Sequence, residues 1–372
     1  YLDGLRTADF YNNLKRNITD KLGKVPVLGE HMVSGIRKTK NSIKQLFVPG
    51  MLFEDMGITY LGPIDGHDVK QMYRALKEAQ KMDHAVLVHV LTQKGKGYAP
   101  AEKNPSKFHG VGPFDITTGT LIESSKAETY TNVFADAMCE LGEEEPNLVA
   151  ITAAMKSGTG LCRFQEKYPE RFFDVGIAEG HAVTFAAGLA AAGMRPVFAV
   201  YSAFLQRGYD QIIHDVCMQN LPVIFAVDRA GLVGSDGETH QGAYDISFLN
   251  HIPNMTILNP KNKTELKEML RFSLKHNGPV AIRYPRGNAY DGLQEFQEPM
   301  LYGKSECIYK EADIAILSVG HMMETAEEVY QLLKSKGYAC SLINARFVKP
   351  LDTDVLKELA ENHKVYVTIE DG

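Results

Sequence analysis

The chain has 372 residues, 44% of them hydrophobic and 23% charged, with a formal net charge of −6. That is ordinary globular composition with material for two or three domains, and its acidic balance gives no reason to expect a nucleic acid or an anionic membrane as partner. No apolar run is long enough for a transmembrane helix. Five scattered cysteines without a CxxC pair argue against structural zinc and for a reducing compartment. No signal or transit peptide is visible, so the cytoplasm is the default.

Residues 1–50 carry Lys and Arg among short apolar stretches ("RNITDKLGKVP", "SGIRKTKNSIKQLF") and read as solvated faces of surface helices, with a binding patch as the alternative. "DVKQMYRALKEAQKM" (68–82) predicts an amphipathic helix with Val69, Met72, Tyr73 and Leu76 on one face. "AVLVHVLT" (85–92) predicts a strand buried on both faces of a parallel sheet. The polar, Gly- and Pro-bearing stretch 93–119 is a long loop at the C-terminal end of that strand, the edge where open α/β sheets bind ligands.

Composition turns linker-like at "LIESSKA" (121–127), which places a domain boundary there. A helix follows with Tyr130, Val133, Phe134, Ala137, Met138 and Leu141 in 3.6-residue periodicity. Strands and helices then alternate: "NLVAIT", "FFDVGI", a small-residue helix from 180, "PVFAVY", a helix over 203–219, "PVIFAVD", "MTILNP", a helix over 262–276, and "PVAIRYP". This order predicts a doubly wound parallel α/β domain ending near 290. "DIAILSV", a helix over 322–335, "ACSLINA", a helix over 353–362 and "KVYVTI" begin a third α/β domain. The opening without Met and the stop just after an apolar strand read as the ends of a piece of a longer protein.

"DVGIAEGHAVTFAAGLAAAG" (174–193) carries one carboxylate, Glu179, at the start of an apolar helix. A buried unpaired charge is costly, so Glu179 is either a water-accessible cap or a chemical group. Gly188 and Gly193 are expected to allow close helix packing. Other polar residues gather at the ends of the middle domain's strands: Tyr201, Phe204 and Arg207; Asp228, Arg229, Asp236 and His240; Arg283 and Arg286. Arg229 and Arg286, with Tyr201, suit a phosphate, because guanidinium makes forked hydrogen bonds to oxyanions. Asp236 and His240, four apart in a Gly-rich loop, suit hydroxyl recognition or proton transfer. No third ligand is spaced for a metal with them. The GxGxxG and GxxxxGK[ST] patterns are absent, which removes support for dinucleotide and P-loop readings.

With "LGPIDGHD", "KGKGYAPAEKNPSKFHG", "DVGIAEGHAVTFAAGLA", "YSAFLQRGYDQIIHDV", "DRAGLVGSDGETHQGAYD", "RYPRGN" and "RFVKPLD" in hand, the whole chain resembles the 1-deoxy-D-xylulose-5-phosphate synthase family, a transketolase-like, thiamine-diphosphate-dependent group. The resemblance implies three transketolase-like α/β domains, the first and last incomplete: 1–120 from the diphosphate-binding domain, 121–292 the pyrimidine-binding domain, and 293–372 part of the transketolase C-terminal domain. It implies condensation of pyruvate with D-glyceraldehyde 3-phosphate, with release of CO2, in a homodimer. Glu179 would hydrogen-bond the aminopyrimidine ring of the cofactor and activate it. Phe204 would stack near that ring, and Tyr98 would contribute to the cofactor site. Tyr201, Arg229 and Arg286 would hold the aldehyde's phosphate, with Arg207 a further candidate. Asp236 and His240 would meet its hydroxyl and carbonyl end, and His109 would approach the reacting carbons. Gly180 stands where the family often has Gln, a change expected to affect packing around the carboxylate more than chemistry. The family's Gly-Asp-Gly…Asn set for Mg²⁺ does not occur in this sequence and is expected upstream of Tyr1. A transketolase or an E1-type dehydrogenase β subunit is an alternative that "DGETHQGAYD" with "RYPRGN" argues against, and a catalytically silent folded module is another.

Overall fold

The computed structural model describes residues 51–122 and 127–372. The expectation for 1–50 lies outside the described residues, as does most of the stretch around 121–127. The chain divides into two compact units, Tyr1–Ser124 and Ser125–Gly372.

In the first unit, strands β1 (Thr59–Asp65) and β2 (Val86–Leu91) pair in parallel, joined by helix α1 (Val69–Gln80). Asp68 caps α1, its Oδ1 accepting from Lys70 N (2.9 Å) and Gln71 N (3.1 Å). β1, with a Gly-Pro step inside it, is not among the predicted strands. One expectation needs correction: β2 is half-buried rather than buried on both faces. α1 is the expected helix, and Val69, Tyr73 and Leu76 on its apolar face are exposed. Two strands with one long helix and the short helices Met51–Asp55 and Ala99–Lys103 do not cover both faces of a sheet, so among the described residues the apolar stripe of α1 stays open. The long loop is more ordered than its composition suggests: Tyr98, Phe108 and Phe114 form a ring cluster with centroids 5.3–5.8 Å apart.

The second unit is built on a seven-stranded sheet in the order β12-β7-β8-β6-β5-β3-β4. Its strands are β3 (Leu148–Thr152), β4 (Phe172–Asp174), β5 (Arg195–Tyr201), β6 (Ile224–Asp228), β7 (Thr256–Leu258), β8 (Val280–Tyr284) and β12 (Phe347–Lys349). All pairings are parallel except β12 with β7. One face packs helices α2 (Tyr130–Glu144) and α5 (Lys263–Lys275), the other α3 (Glu179–Ala191) and α4, a helical run from Ser202 to Cys217. Alternation along β8 shows the two-sided burial: Val280, Ile282 and Tyr284 join one core, Ala281 the other.

The small-residue helix α3 buries Ala182, Val183, Ala186, Ala187 and Ala190. The close approach comes from elsewhere than expected. A β-carbon on Gly188 or Gly193 would meet nothing within 4 Å, whereas one on Gly208 would sit 2.8 Å from Val183 Cγ2. Gly193 instead takes φ +89° just past the helix end, the left-handed turn that glycine adopts without strain. The last strands form a second sheet, β13-β10-β11-β9, from β9 (Glu306–Tyr309), β10 (Asp313–Ser318), β11 (Cys340–Asn344) and β13 (His363–Ile369). Helices α6 (Met323–Ser335) and α7 (Thr353–Asn362) connect its strands, and β12 leaves this region to pair with the larger sheet.

An ion cluster buried to within a few per cent joins the two sheets. Lys261 Nζ lies 2.6 Å from Glu306 Oε2 and 3.5 Å from Glu265 Oε1. Arg346 lies 3.0 Å from Glu265 and 2.9 Å from Glu306, and Asn344 Nδ2 donates to both carboxylates. Burial alone would raise the Glu306 carboxyl, yet Lys261, Arg346 and Asn344 hold it below the ordinary glutamate range. Two cations balance two anions, so removing one strands a buried charge. Lys261→Met is therefore expected to cost about 3–5 kcal/mol in denaturant unfolding, and a loss under about 1 kcal/mol would refute the cluster's role.

Candidate active site

Three adjacent parallel strands end in polar residues. Tyr201 closes β5, Asp228 closes β6 and Tyr284 closes β8, and the register pairs Tyr201 with Asp228 and Asp228 with Tyr284. This is the C-terminal edge where a doubly wound sheet opens a crevice. Asp228 is wholly buried, and its Oδ2 accepts from Thr131 Oγ1 of α2 at 3.0 Å. Burial pushes its carboxyl up to about 6, against the pull of Arg229 beside it.

Arg229 follows Asp228 directly, in a left-handed conformation (φ +61°) that a non-glycine residue adopts only when its surroundings enforce it. Its guanidinium is anchored on several sides. Nη1 donates to Gly158 O (3.1 Å) and lies 3.1 Å from Asp228 Oδ2, and Nε donates to Asp236 Oδ2 (3.1 Å). The Tyr201 ring lies 3.8 Å beneath it, a cation–π contact. Asp236 Oδ1 meets Arg286 Nη1 at 2.7 Å, so this carboxylate bridges two arginines. Burial raises the Tyr201 phenol despite Arg229, which keeps it a neutral hydrogen-bonding group.

The cluster continues from Tyr201 to Glu179. Phe204 stacks on Tyr201 (5.6 Å between centroids) and meets His240 edge-on at 5.2 Å. Arg207 sits 5.1 Å above the Phe204 ring and donates through Nη1 to Glu179 Oε1 at 3.2 Å. Glu179 opens α3 and is 4% exposed, while Arg207 is 59% exposed in its side chain. The helix N-terminus favours a carboxylate at that position.

The structure therefore brings together Glu179, Tyr201, Phe204, Arg207, Arg229, Asp236, His240 and Arg286 on one edge. Two of them take unexpected partners. Asp236 is committed to Arg229 and Arg286, and Arg207 stands beside Glu179 on the carboxylate side of the cluster. Arg283, grouped by sequence with the strand-end cations, is buried instead. Its Nε donates to Asp245 Oδ1 (2.9 Å) and its Nη1 to Asn259 Oδ1 (2.7 Å), while Asp245 Oδ2 accepts from Ser202 Oγ (2.9 Å). A charge inside the apolar strand "PVAIRYP" signals such a buried pair, but its partner lies 38 residues away. Gly158 is a residue that sequence reasoning missed: a β-carbon there would collide with the Tyr201 hydroxyl.

Tyr98 and His109 belong to the first unit. Tyr98 donates its hydroxyl to Ile116 O (2.9 Å), and His109 Nδ1 lies 2.7 Å from Lys94 Nζ. Among the described residues no group of three or more His, Cys, Asp or Glu is arranged to hold a metal ion, and no helix is long and apolar enough to cross a membrane. The described residues fit the pyrimidine end of thiamine diphosphate. Among the described residues the buried Glu179 carboxylate pairs with a largely exposed arginine that lies over the Phe204 ring, an acceptor beside an aromatic face that suits a protonatable ring nitrogen.

Residues 126–291 match the transketolase pyrimidine-binding domain, residues 1–92 match 1-deoxy-D-xylulose-5-phosphate synthase, and residues 303–372 match the transketolase C-terminal domain. The chain is 53% identical over its full length to the 1-deoxy-D-xylulose-5-phosphate synthase of Lachnoclostridium phytofermentans and 50% identical to that of Clostridium tetani. It spans about 60% of the length of these relatives. A solved chain described as split gene transketolase, inactive beta4 tetramer, is 28% identical at TM-score 0.59, covering 66% of this chain and 80% of that one. Transketolase from Campylobacter jejuni shares the fold at TM-score 0.59 and 16% identity, covering 88% of this chain and 63% of that one.

Asp228 yields a test of the site's electrostatics. A carboxyl whose folded pKa stands above its unfolded value of about 3.9 adds stability below that value and loses it as pH rises through the folded one. Asp228→Asn removes this loss, so the variant should gain stability relative to the native protein as pH rises from about 4 to about 7. Urea unfolding across that range checks it, and a difference that does not change with pH would overturn it.

Proposed function

As the chain belongs to the 1-deoxy-D-xylulose-5-phosphate synthase family, we propose that it serves the thiamine-diphosphate-dependent condensation of pyruvate with D-glyceraldehyde 3-phosphate to 1-deoxy-D-xylulose 5-phosphate and CO2. The observation that carries this reading is the continuous row from buried Glu179, through Phe204 and Tyr201, to the Asp236-bridged pair Arg229 and Arg286. One end suits a cofactor ring and the other a phosphate, as the joining of a cofactor-bound fragment to a phosphorylated aldehyde requires.

Glu179 would hydrogen-bond a ring nitrogen of the aminopyrimidine, and Phe204 would offer that ring an apolar face. When bound, thiamine diphosphate supplies the electron sink that lets pyruvate lose CO2 and the remaining two-carbon fragment join an aldehyde. Arg229, Arg286 and Tyr201 bind the aldehyde's phosphate. Asp236 gathers both guanidiniums in advance, so an incoming phosphate exchanges with a carboxylate already in place and pays less to organise the site. His240, against Phe204, stands between the two ends and orients the aldehyde's carbonyl and hydroxyl groups. Tyr98 is assigned to the cofactor site and His109 to the reacting carbons. Residues 1–120 are assigned to the diphosphate-binding domain, 121–292 to the pyrimidine-binding domain and 293–372 to the C-terminal domain. Mg²⁺ at the diphosphate, a homodimeric assembly and a cytoplasmic location complete the proposal.

A second reading rests on the similar split gene transketolase chain described as an inactive tetramer: a chain of this extent would fold without turning over substrate by itself. Calorimetry of this chain with Mg²⁺ and thiamine diphosphate separates the two, since tight binding is expected only if the cofactor site is complete. In full-length enzyme, Glu179→Ala is expected to lower turnover by at least 10²-fold, about 3 kcal/mol, on the scale of losing one preorganised polar contact. Near-normal turnover would refute the assignment. Arg286→Ala should raise the KM for the aldehyde while leaving cofactor affinity unchanged, and an unaltered aldehyde dependence would count against the phosphate clamp. Product analysis with pyruvate against a ketose phosphate donor decides between this reaction and transketolase chemistry.

A further inference from the structure

Asp236 and His240 ride on a loop whose neck is a pair of glycines. Gly231 N–H donates to Gly242 O at 3.1 Å and Gly242 N–H returns a bond to Gly231 O at 2.7 Å, closing residues 232–241 into a loop. Both glycines are required by what presses on the neck. Gly242 lies so near Arg229 O that a β-carbon would collide with it, and that carbon would also come within 2.8 Å of Ser202 Oγ. Gly231 has φ +74°, and a β-carbon there would collide with the carboxylate of Asp371.

Asp371 comes from a different layer of the unit, in the segment just after β13. Its side chain is 9% exposed, and His321 Nε2 lies 3.3 Å from its Oδ2. His321 stands in the turn Gly320–Met322 that leads into α6. That turn is seated on the larger sheet: a β-carbon on Gly320 would lie 3.2 Å from Asn259 Cβ, and Asn259 accepts from Arg283, whose other partner Asp245 holds Ser202. Ser202 begins the helical run bearing Phe204 and Arg207. The last sheet thus reaches the site twice, through the turn carrying His321 and through Asp371 on the loop's neck.

We infer that Asp371, held in place by His321, is a positioning residue that clamps the neck of the 231–242 loop, so that the C-terminal layer sets where Asp236 and His240 stand. The clamp touches no reacting atom and acts through the loop. Its consequence for turnover rests on the function proposed above, whereas the clamp itself does not.

The experiment uses the full-length enzyme with its cofactor and compares Asp371→Ala, Asp371→Asn, His321→Ala and His321→Gln. Amide hydrogen exchange over residues 232–241 reads the clamp directly, and separate KM values for pyruvate and for D-glyceraldehyde 3-phosphate read its effect. Asp371→Ala and His321→Ala are expected to speed exchange in the loop and to raise the aldehyde KM about fivefold or more, on the scale of coupling through a packed network. The pyruvate KM should stay within about twofold. Asp371→Asn, which keeps shape and an acceptor, and His321→Gln, which keeps a donor at the Nε2 position, should restore most of both. Exchange in the loop that matches the native enzyme overturns the inference. So does exchange that rises equally across the whole sheet, since that marks general destabilisation. If Asp371→Ala does not fold, the His321 pair decides by the same readouts. A native enzyme that makes no deoxyketose phosphate would sink the proposed reaction, while the exchange data would still decide the clamp.

Discussion

A carboxylate that water cannot reach organises this edge of the molecule. Asp228 ends the middle of three adjacent strands, receives a hydrogen bond from Thr131 on α2, and faces the guanidinium of the next residue. A buried acid in such a place is tolerable only with a partner. Arg229 supplies one and is bent into a left-handed backbone to do so. Once that arginine is fixed, its ring contact with Tyr201 and its bond to Asp236 follow, and Asp236 in turn draws in Arg286. The cations at the mouth of the sheet are therefore held in position by the protein's own carboxylates.

The carboxylate at the other end of the row is handled differently. Glu179 is nearly as buried as Asp228, but its partner Arg207 is half in solvent and leans on Phe204. A helix N-terminus offsets part of the desolvation cost. One acid is thus locked into the scaffold, while the other keeps a partner that stands largely in solvent.

Much of this was legible in the sequence. The apolar runs of β3, β5, β6 and β8 mark strands buried on both faces, and the periodicity of Tyr130, Phe134, Met138 and Leu141 marks α2. These signals are local, since burial on one or two faces imposes its period on neighbouring residues. Polar residues at the strand ends mark the site edge for the same reason. The expectations that needed revision concern contacts between distant segments. β2, read as buried on both faces, is half-buried, and Gly208 rather than Gly188 makes the close helix approach. The bridge that Asp236 makes between Arg229 and Arg286 is a further contact that no local pattern announced.

The sequence by itself determined the alternation of strand and helix, the edge on which chemistry-bearing residues collect, and a resemblance specific enough to nominate each of them. Tertiary structure alone decided the pairing of charges: Arg283 with Asp245, Lys261 and Arg346 with Glu265 and Glu306, and His321 with Asp371 against Gly231. It alone decided that β12 crosses from the last region to join the larger sheet. The reason is physical. Hydrophobic periodicity records which side of an element faces away from water, but an ion pair or an edge pairing depends on where two remote segments meet, and no local pattern encodes that distance.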